Sequence, residues 1–547
     1  MELHLLSALE KLFPDGRGLA PFSADHSLRG LRGECVAFQG AIFSAEKSCY
    51  LWPRMEGKVP GKISIRRVEM APVRRRRKDG EWDGQYISPE MGFYPDVLLP
   101  LRDGVALPAG EWQSLLIEIE IAKDAGAGRH PFSLVLQDAE GKELARQHAC
   151  LTVIDASLPP QTLIHTEWFH ADCLSDYYGV EAFSPRHWEI IGHFMERAAY
   201  RGCNMILTPH FTPALDTRMG GERPTVQLVG VEERPDGYHF DFANLKKWME
   251  LAFEKGFQWI EFSHLYTQWG AQAAPKIMGM KDGKYQRLFG WDTPAVGGEY
   301  SRFLRAYLPC LTEKLRQWGY DKRCFFHVSD EPSPDQLGHY LAAKGQIADL
   351  LQGYPIVDAL SDPEIARACH ISPPIVCVHH LSPFLEEGIS PLWGYYCCVP
   401  TTGYTSRFLQ LPLSRVRVMG MQWWQYNLKG FLHWGYNFYY TAHSVCSLNP
   451  YLDTEAGGFF PSGDAFLVYP GADGRPVESL RLIALHQGLE DMRALQLLEE
   501  LVGREQALSC LQKAFPLTLG HFPADGAGML ALRNAVNDAL EAALQGQ

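Results

Sequence analysis

The chain has 547 residues, of which 46% are hydrophobic and 21% charged, a composition that excludes disorder and leaves room for about two to four domains. Its formal net charge of −13 argues against nucleic acid and anionic membranes as partners, since both require a basic surface. The N-terminus has acidic Glu2 where a signal peptide needs positive charge, and no window is apolar enough to cross a membrane. The thirteen cysteines are scattered without a CxxC pair, so we expect reduced thiols in a cytoplasmic protein.

The first part of the chain has the pattern of half-buried strands separated by turns. Segments 114–122 and 132–138 alternate apolar with polar residues, and 148–155 is rich in β-branched residues. We therefore predict an N-terminal β-sandwich domain over residues 1–157. The paired prolines in ASLPPQT, residues 156–162, favour an extended linker and mark the end of this domain.

After this linker, short apolar strands alternate with longer helical segments. About eight alternations over about 300 residues favour a (β/α)8 TIM-like barrel, assigned to residues 158–500, over an open doubly wound sheet. No glycine-rich phosphate loop follows a strand, which further weakens the open-sheet alternative. Residues 501–547 are predicted to be a C-terminal helical region packed on the barrel, so the fold class is multidomain α/β plus β. The predicted strands are 162–170, 204–209, 257–262, 324–330, 355–361, 375–380, 392–398 and 430–436.

The stretch FFHVSDEPSPDQ, residues 325–336, ends a predicted strand in two adjacent carboxylates, Asp330 and Glu331. Catalytic side chains in a barrel come from the carboxyl ends of its strands. Neighbouring residues of a regular strand point to opposite faces, so both carboxylates reach one ligand only where the pleat breaks, and Pro332 favours such a break. Mutual repulsion and burial would then separate their pKa values. The alternative is an acidic loop that caps the next helix, although Ser333 already supplies a capping group.

Polar and aromatic side chains occur at the other predicted strand ends as well. Together they converge on the barrel mouth, where aromatic faces suit sugar rings and polar tips bind hydroxyl groups. Taken singly, such a residue is more often an ordinary packed side chain. The histidines lack a compact ligand spacing such as HExxH, so we predict no metal and no cofactor. The candidate substrate-binding residues are Trp168, His210, Trp393, Tyr395, Trp434, Tyr436 and Asn437.

Several segments, taken in order, resemble glycoside hydrolase family 123 and its domain-of-unknown-function 4091 relatives. The resemblance spans most of residues 90–500. It is carried by SDEP (329–332), LPPQTLIHTEWFHADCLSDYY (158–178), WGYYCC (393–398), GFLHWGYN (430–437), GLEDMRALQLL (488–498) and, in the N-terminal part, GFYPDVLLPL (92–101).

The resemblance implies an N-acetyl-β-galactosaminidase that works by substrate-assisted retention through an oxazoline-type intermediate. It also implies that Glu331 is the general acid and then the base, and that Asp330 orients the 2-acetamido group as it attacks the anomeric carbon. The expected substrate is a small oligosaccharide or glycoside that contains N-acetylgalactosamine. Two alternatives stay open: a glycosidase for a sugar without a 2-acetamido group, and a non-catalytic carbohydrate-binding protein. The sequence does not indicate the oligomeric state.

Overall fold

The computed structural model describes residues 1–22, 27–101 and 104–546. Its N-terminal part consists of β-strands. They are Glu2–Ser7 (β1), Ser27–Arg32 (β2), Cys35–Phe43 (β3), Cys49–Gly57 (β4), Gly61–Val73 (β5), Gly92–Pro100 (β6), Val105–Leu107 (β7), Trp112–Ile121 (β8), Gly128–Gln137 (β9) and Glu143–Ser157 (β10).

These strands form two sheets, with the orders β1-β3-β8-β5-β6 and β2-β10-β9-β4-β7. Phe38 and Ile117 from the first sheet share an apolar core with Leu134 and Leu151 from the second. The core exists because apolar residues alternate with polar ones along each strand and therefore share one face. The three strands predicted in this region lie within or overlap β8, β9 and β10.

The rest of the chain alternates strands with helices. In chain order the elements are Ile164–Glu167 (β11), Ala171–Tyr178 (α1), Pro185–Tyr200 (α2), Met205–Thr208 (β12), Gly230–Arg234 (β13), Gly237–Asp241 (β14), Ala243–Lys255 (α3), Trp259–Phe262 (β15), Ile277–Lys281 (β16), Lys284–Phe289 (β17), Gly298–Trp318 (α4), Cys324–Phe325 (β18), Leu337–Gly345 (α5), Pro363–Cys369 (α6), Ile375–Cys377 (β19), Leu381–Glu386 (α7), Trp393–Tyr395 (β20), Leu413–Arg417 (α8), Met419–Gln425 (α9), Gly430–His433 (β21), Val468–Pro470 (β22), Pro476–Glu478 (β23), Leu480–Val502 (α10), Arg504–Ala514 (α11) and Gly526–Gln545 (α12).

The central sheet of this part is parallel and has the order β18-β15-β12-β11-β21-β20-β19. Within the described residues it has seven strands, where the sequence predicts eight. The predicted strand 355–361 makes only isolated parallel bridges, Ile356 with Phe326 and Ala359 with Ile375. One physical reason is Asp358, whose carboxylate accepts a hydrogen bond from the backbone N–H of Val328. A side-chain hydrogen bond thus replaces one of the backbone hydrogen bonds between strands.

A second sheet, of order β14-β13-β16-β17, is inserted into the loops that follow β12 and β15, and was not predicted. Its four strands are short and most of their residues are half-buried or exposed, so the alternation that indicates a buried strand is weak. A local turn signal is nevertheless present between β16 and β17. Asp282 and Gly283 have φ values of 51° and 73°, as an Asp-Gly hairpin turn requires.

Buried ion pairs join the N-terminal sheets to the parallel-sheet part. Arg201, after α2, donates to Glu118 of β8 at 2.8 Å and to Glu478 of β23 at 2.6 Å. Because every charge in this group has a partner, its burial is tolerated. The predicted boundary at residue 500 falls inside α10, which ends at Val502. Among the described residues, none of the helices has the length and apolar character needed to span a membrane.

Candidate active site

A cavity of about 150 Å³ lies where the chain leaves the carboxyl ends of the parallel strands. Most of its lining residues lie at or after one of these ends, which is where a parallel sheet with crossover helices places its ligands. Five of the residues singled out from the sequence line this cavity. They are Trp168, Asp330, Glu331, Tyr395 and Trp434.

Asp330 and Glu331 reach the same cavity because the backbone changes direction between them. Strand β18 ends at Phe325, and Glu331 has a φ of 44°, in the left-handed region that non-glycine residues seldom adopt. The break is therefore at Glu331 itself, directly before Pro332. It leaves Asp330 only 9% exposed, whereas Glu331 is exposed at the opening.

Asp330 is held in a low-dielectric position beside a like charge. Burial, and then the charge of Glu331, raise its pKa to about 7, against the opposing effect of a hydrogen bond from Gln268. The Nε2 atom of Gln268 donates to Oδ2 of Asp330 at 3.0 Å. The two adjacent carboxyl groups therefore keep one proton between them up to about pH 7.

Glu331 is fixed by Tyr395, the last residue of β20, whose hydroxyl donates a short hydrogen bond to Oε1. Burial, and then the charge of Glu331, raise the pKa of Tyr395 well above its ordinary value, so the phenol keeps its proton. Because Oε1 is occupied as an acceptor, Oε2 is the oxygen that can carry a proton toward a ligand.

Two tryptophans line the cavity and are held by buried carboxylates. The indole N–H of Trp168 donates to Oε1 of Glu261 at 2.9 Å, and that of Trp434 donates to Oδ2 of Asp464 at 2.9 Å. Phe460 packs edge-to-face on Trp434 with a centroid distance of 5.1 Å. With their polar atoms satisfied in this way, the indoles keep fixed orientations and present apolar faces to a ligand.

Glu261 also belongs to a buried network around His327. The imidazole of His327 is 2.6 Å from Glu261 and 3.0 Å from Asp358. Burial opposes the charged imidazolium, but these hydrogen bonds and charges outweigh it and raise the pKa of His327 to about 10. His264, His327 and Asp358 are the one group in the described ranges with the composition of a metal site. Both nitrogens of His327 are already engaged by carboxylates, whereas both ring nitrogens of His264 are buried without a hydrogen-bond partner in the part of the chain that the structure describes.

The structure places the other four predicted substrate-binding residues outside the cavity lining. His210 is buried and bonded to Ser263, and Trp393 fills the apolar layer beneath Tyr395. The hydroxyl of Tyr436 donates to the backbone of α2, and Asn437 exchanges two hydrogen bonds with the backbone of His170.

Comparison with known protein families identifies the family of this chain. The model of the glycoside hydrolase 123 catalytic domain matches residues 168–498, more than half of the chain. The chain belongs to glycoside hydrolase family 123. It is therefore a glycosidase by family, and the resemblance seen in its sequence is confirmed. No curated protein matches it.

Solved structures agree with this assignment at the level of the fold. A family 123 glycoside hydrolase from Clostridium perfringens, studied for glycolipid glycan hydrolysis, has a TM-score of 0.76 and 14% identity, and each chain covers 100% of the other. The match to a Parabacteroides merdae β-glucuronidase covers 84% of this chain and 49% of the glucuronidase chain at 9% identity, with a TM-score of 0.31. The match to a putative β-galactosidase from Bacteroides fragilis covers 88% of this chain and 60% of the galactosidase chain at 9% identity, with a TM-score of 0.30. The two lower scores add nothing to the assignment.

In the present chain, ten other residues line the cavity that are not among the site residues predicted from the sequence. Asp216 has a φ of 40°, its Oδ2 accepts the backbone N–H of His443 at 2.9 Å, and burial raises its pKa. Burial, and then the charge of Arg223, lower the pKa of His170 to about 4, so this imidazole is neutral. Five of these ten residues lie within predicted strands but are not among the predicted substrate-binding residues: His170, Ala359, Cys397, Cys398 and Leu432. The other five lie on irregular loops, where no periodicity signals them: Leu215, Asp216, Gln268, Trp269 and Phe460.

Proposed function

We propose that this glycosidase releases β-linked N-acetylgalactosamine from small oligosaccharides or glycosides by substrate-assisted retaining catalysis. The observation that carries the proposal is the pair Asp330 and Glu331, adjacent in sequence, facing one cavity, and differing in exposure. A 2-acetamido group and the neighbouring glycosidic oxygen lie on adjacent carbons of one sugar. Two adjacent carboxyl groups match that spacing, with one protonated and the other charged.

In the first step, the acetamido carbonyl oxygen attacks the anomeric carbon and the bond to the leaving oxygen breaks. Oε2 of Glu331 gives its proton to that oxygen. Asp330 accepts the acetamido N–H and stabilises the positive charge that develops on the oxazolinium ring. A bound N–H donor also favours the charged form of Asp330, so it moves the shared proton of the pair onto Glu331.

In the second step, water attacks the anomeric carbon from the side that the leaving group vacated. Glu331 now accepts a proton from the water, and the bond between the anomeric carbon and the oxazolinium oxygen, which was the acetamido carbonyl oxygen, breaks. The acetamido group is restored, and two inversions at one carbon give net retention. No cofactor is needed for either step.

The architecture supports this assignment of roles. We infer that residues 355–359 complete a (β/α)8 barrel, since their isolated bridges join both edges of the parallel sheet. A cavity of about 150 Å³ holds one benzene-sized ring, so it has room for no more than one sugar ring. The proposal is therefore that one terminal sugar enters and is released. Trp168 and Trp434 would contact its apolar faces.

The first test is hydrolysis of chromogenic β-linked N-acetylgalactosaminide, N-acetylglucosaminide and galactoside. We expect the N-acetylgalactosaminide to be cleaved fastest and the galactoside at least about 1000-fold more slowly, because it lacks the internal nucleophile whose proximity supplies much of the rate. Preference for the plain galactoside would overturn the proposal and favour a glycosidase for sugars without the acetamido group.

The pH dependence follows from the raised pKa of Asp330. Below about pH 7 the carboxyl pair holds a proton, and above it the pair loses that proton and with it the general acid. We expect kcat/KM, which reports the free enzyme, to fall about tenfold per pH unit above this value. A profile that stays flat up to pH 9 would contradict the shared proton.

A further inference from the structure

We propose that Trp269, supported by His443, is the platform for the sugar residue on the leaving-group side of the cleaved bond. This inference rests on the proposed roles of Asp330 and Glu331. It extends them by naming the substrate class as a glycan whose second sugar contacts the protein. A simple alkyl glycoside lacks that second contact.

The position of the leaving group follows from the exposure of the two carboxyl groups. The sugar that meets Asp330 lies where that residue is only 9% exposed, and the cavity has room for about one ring. Glu331, which gives the proton, is exposed at the opening. The leaving group therefore extends past Glu331 and over the rim.

Trp269 lies on this rim beside the catalytic pair. It lines the cavity and is still 38% exposed. Its backbone N–H donates to the carbonyl oxygen of Asp330 at 3.1 Å, so the ring starts from a point adjacent to the cleaved bond. An exposed aromatic face beside the catalytic pair is suited to the C–H face of a pyranose ring.

The ring is held in place by His443, whose loop is bonded in turn to the loop of Asp216. His443 packs edge-to-face against Trp269, with a centroid distance of 6.2 Å and an interplanar angle of 77°. The N–H of His443 donates to Asp216 at 2.9 Å, and the hydroxyl of Ser444 donates to the Asp216 carbonyl oxygen at 2.7 Å. These residues tie the loops after β12, β15 and β21 together at one side of the opening.

Backbone strain is concentrated at the same place. Among these residues, Asp216, Trp269, His443 and Ser444 have φ values of 40°, 59°, 62° and 54°. Residues other than glycine rarely adopt positive φ values, so the surrounding contacts must maintain this backbone conformation. Strain of this kind is retained where a side chain must be aimed at a ligand, and here it aims the indole across the opening.

The test compares two substrates with alcohol leaving groups, the methyl β-N-acetylgalactosaminide and a disaccharide with the same sugar β-linked to galactose. Trp269→Ala should lower kcat/KM about tenfold more for the disaccharide than for the methyl glycoside, which corresponds to a difference of about 1.4 kcal/mol. Trp269→Phe should recover part of the loss. The alanine variant keeps the backbone hydrogen bond to Asp330. Alanine and tryptophan both carry a Cβ atom, so the substitution does not relieve the steric cost of the positive φ at this position.

Trp82→Ala is the matched control, since Trp82 is 37% exposed and lies outside the cavity lining, and it should change neither substrate. A Trp269→Ala variant that loses both activities equally, or neither, overturns the platform while the proposed function stands. A wild-type enzyme that cleaves neither glycoside overturns the proposed function, and the platform with it. A thermal unfolding midpoint near that of wild type shows that the variant is folded.

Discussion

Replacing Glu331 by Gln should lower kcat/KM for an alkyl β-N-acetylgalactosaminide by about 1000-fold. The amide cannot give a proton to the leaving oxygen, and a positioned general acid contributes about 10²–10⁴-fold. Gln has the volume of Glu, and its carbonyl oxygen still accepts the hydrogen bond from the Tyr395 hydroxyl, so the cavity keeps its shape. Steady-state kinetics of wild type and variant on the methyl glycoside measures the loss.

The size of the loss should depend on the leaving group. A 2,4-dinitrophenolate departs without protonation, so its release in the first turnover should be impaired at least about tenfold less than hydrolysis of the methyl glycoside. Asp335→Asn is the control, because it removes one exposed carboxylate four residues away and should change kcat/KM less than about twofold. Equal losses on both glycosides would contradict the role of Glu331 as acid.

Replacing Asp330 by Asn should lower kcat by about 10²–10³-fold on both kinds of substrate, the range found when an electrostatic stabiliser of the transition state is removed. The neutral amide cannot stabilise the oxazolinium charge, whatever the leaving group. Its carbonyl oxygen can still accept the hydrogen bond from Gln268, so the variant tests charge and not packing. Single-turnover kinetics on the methyl and dinitrophenyl glycosides makes the comparison.

The two variants together separate the two roles. Loss on the methyl glycoside alone in Asp330→Asn would make Asp330 the proton donor and reverse the assignment. A thermal unfolding midpoint near that of wild type checks that the buried substitution is tolerated. The Asn variant should also move the fall of kcat/KM to lower pH, because Glu331 remains the general acid but no longer has the neighbouring carboxyl group that holds a proton up to about pH 7.

Much of the fold follows from local patterns in the sequence. The parallel strands are short and mostly apolar, and the change from strand to helical period along the chain identifies them. A helix start is also visible where Ser184 caps α2 by accepting the N–H of His187. The departures have tertiary causes. Residues 355–361 contain a buried carboxylate that pairs with neighbouring backbone, and the inserted hairpins face solvent on too much of their surface to show a buried pattern.

The site was predictable where chemistry and strand ends coincide. Asp330 and Glu331 stand out as adjacent carboxylates, and Tyr395 lies at the last position of its strand. Position alone does not give the direction of a side chain: Trp393 is on the same face as Tyr395 but one layer deeper, and Tyr436 turns toward α2. Asp216 and Trp269 belong to loops whose path depends on contacts distant in sequence.

The most direct test of the central claim is the affinity of a thiazoline analogue of N-acetylgalactosamine, which imitates the oxazoline intermediate. If the acetamido group is the nucleophile, the analogue should inhibit competitively and bind at least about 100-fold more tightly than N-acetylgalactosamine, as transition-state and intermediate analogues do. Asp330→Asn should weaken that binding, because the charge that recognises the ring is lost. A thiazoline that binds no better than the free sugar would mean that the substrate does not supply its own nucleophile.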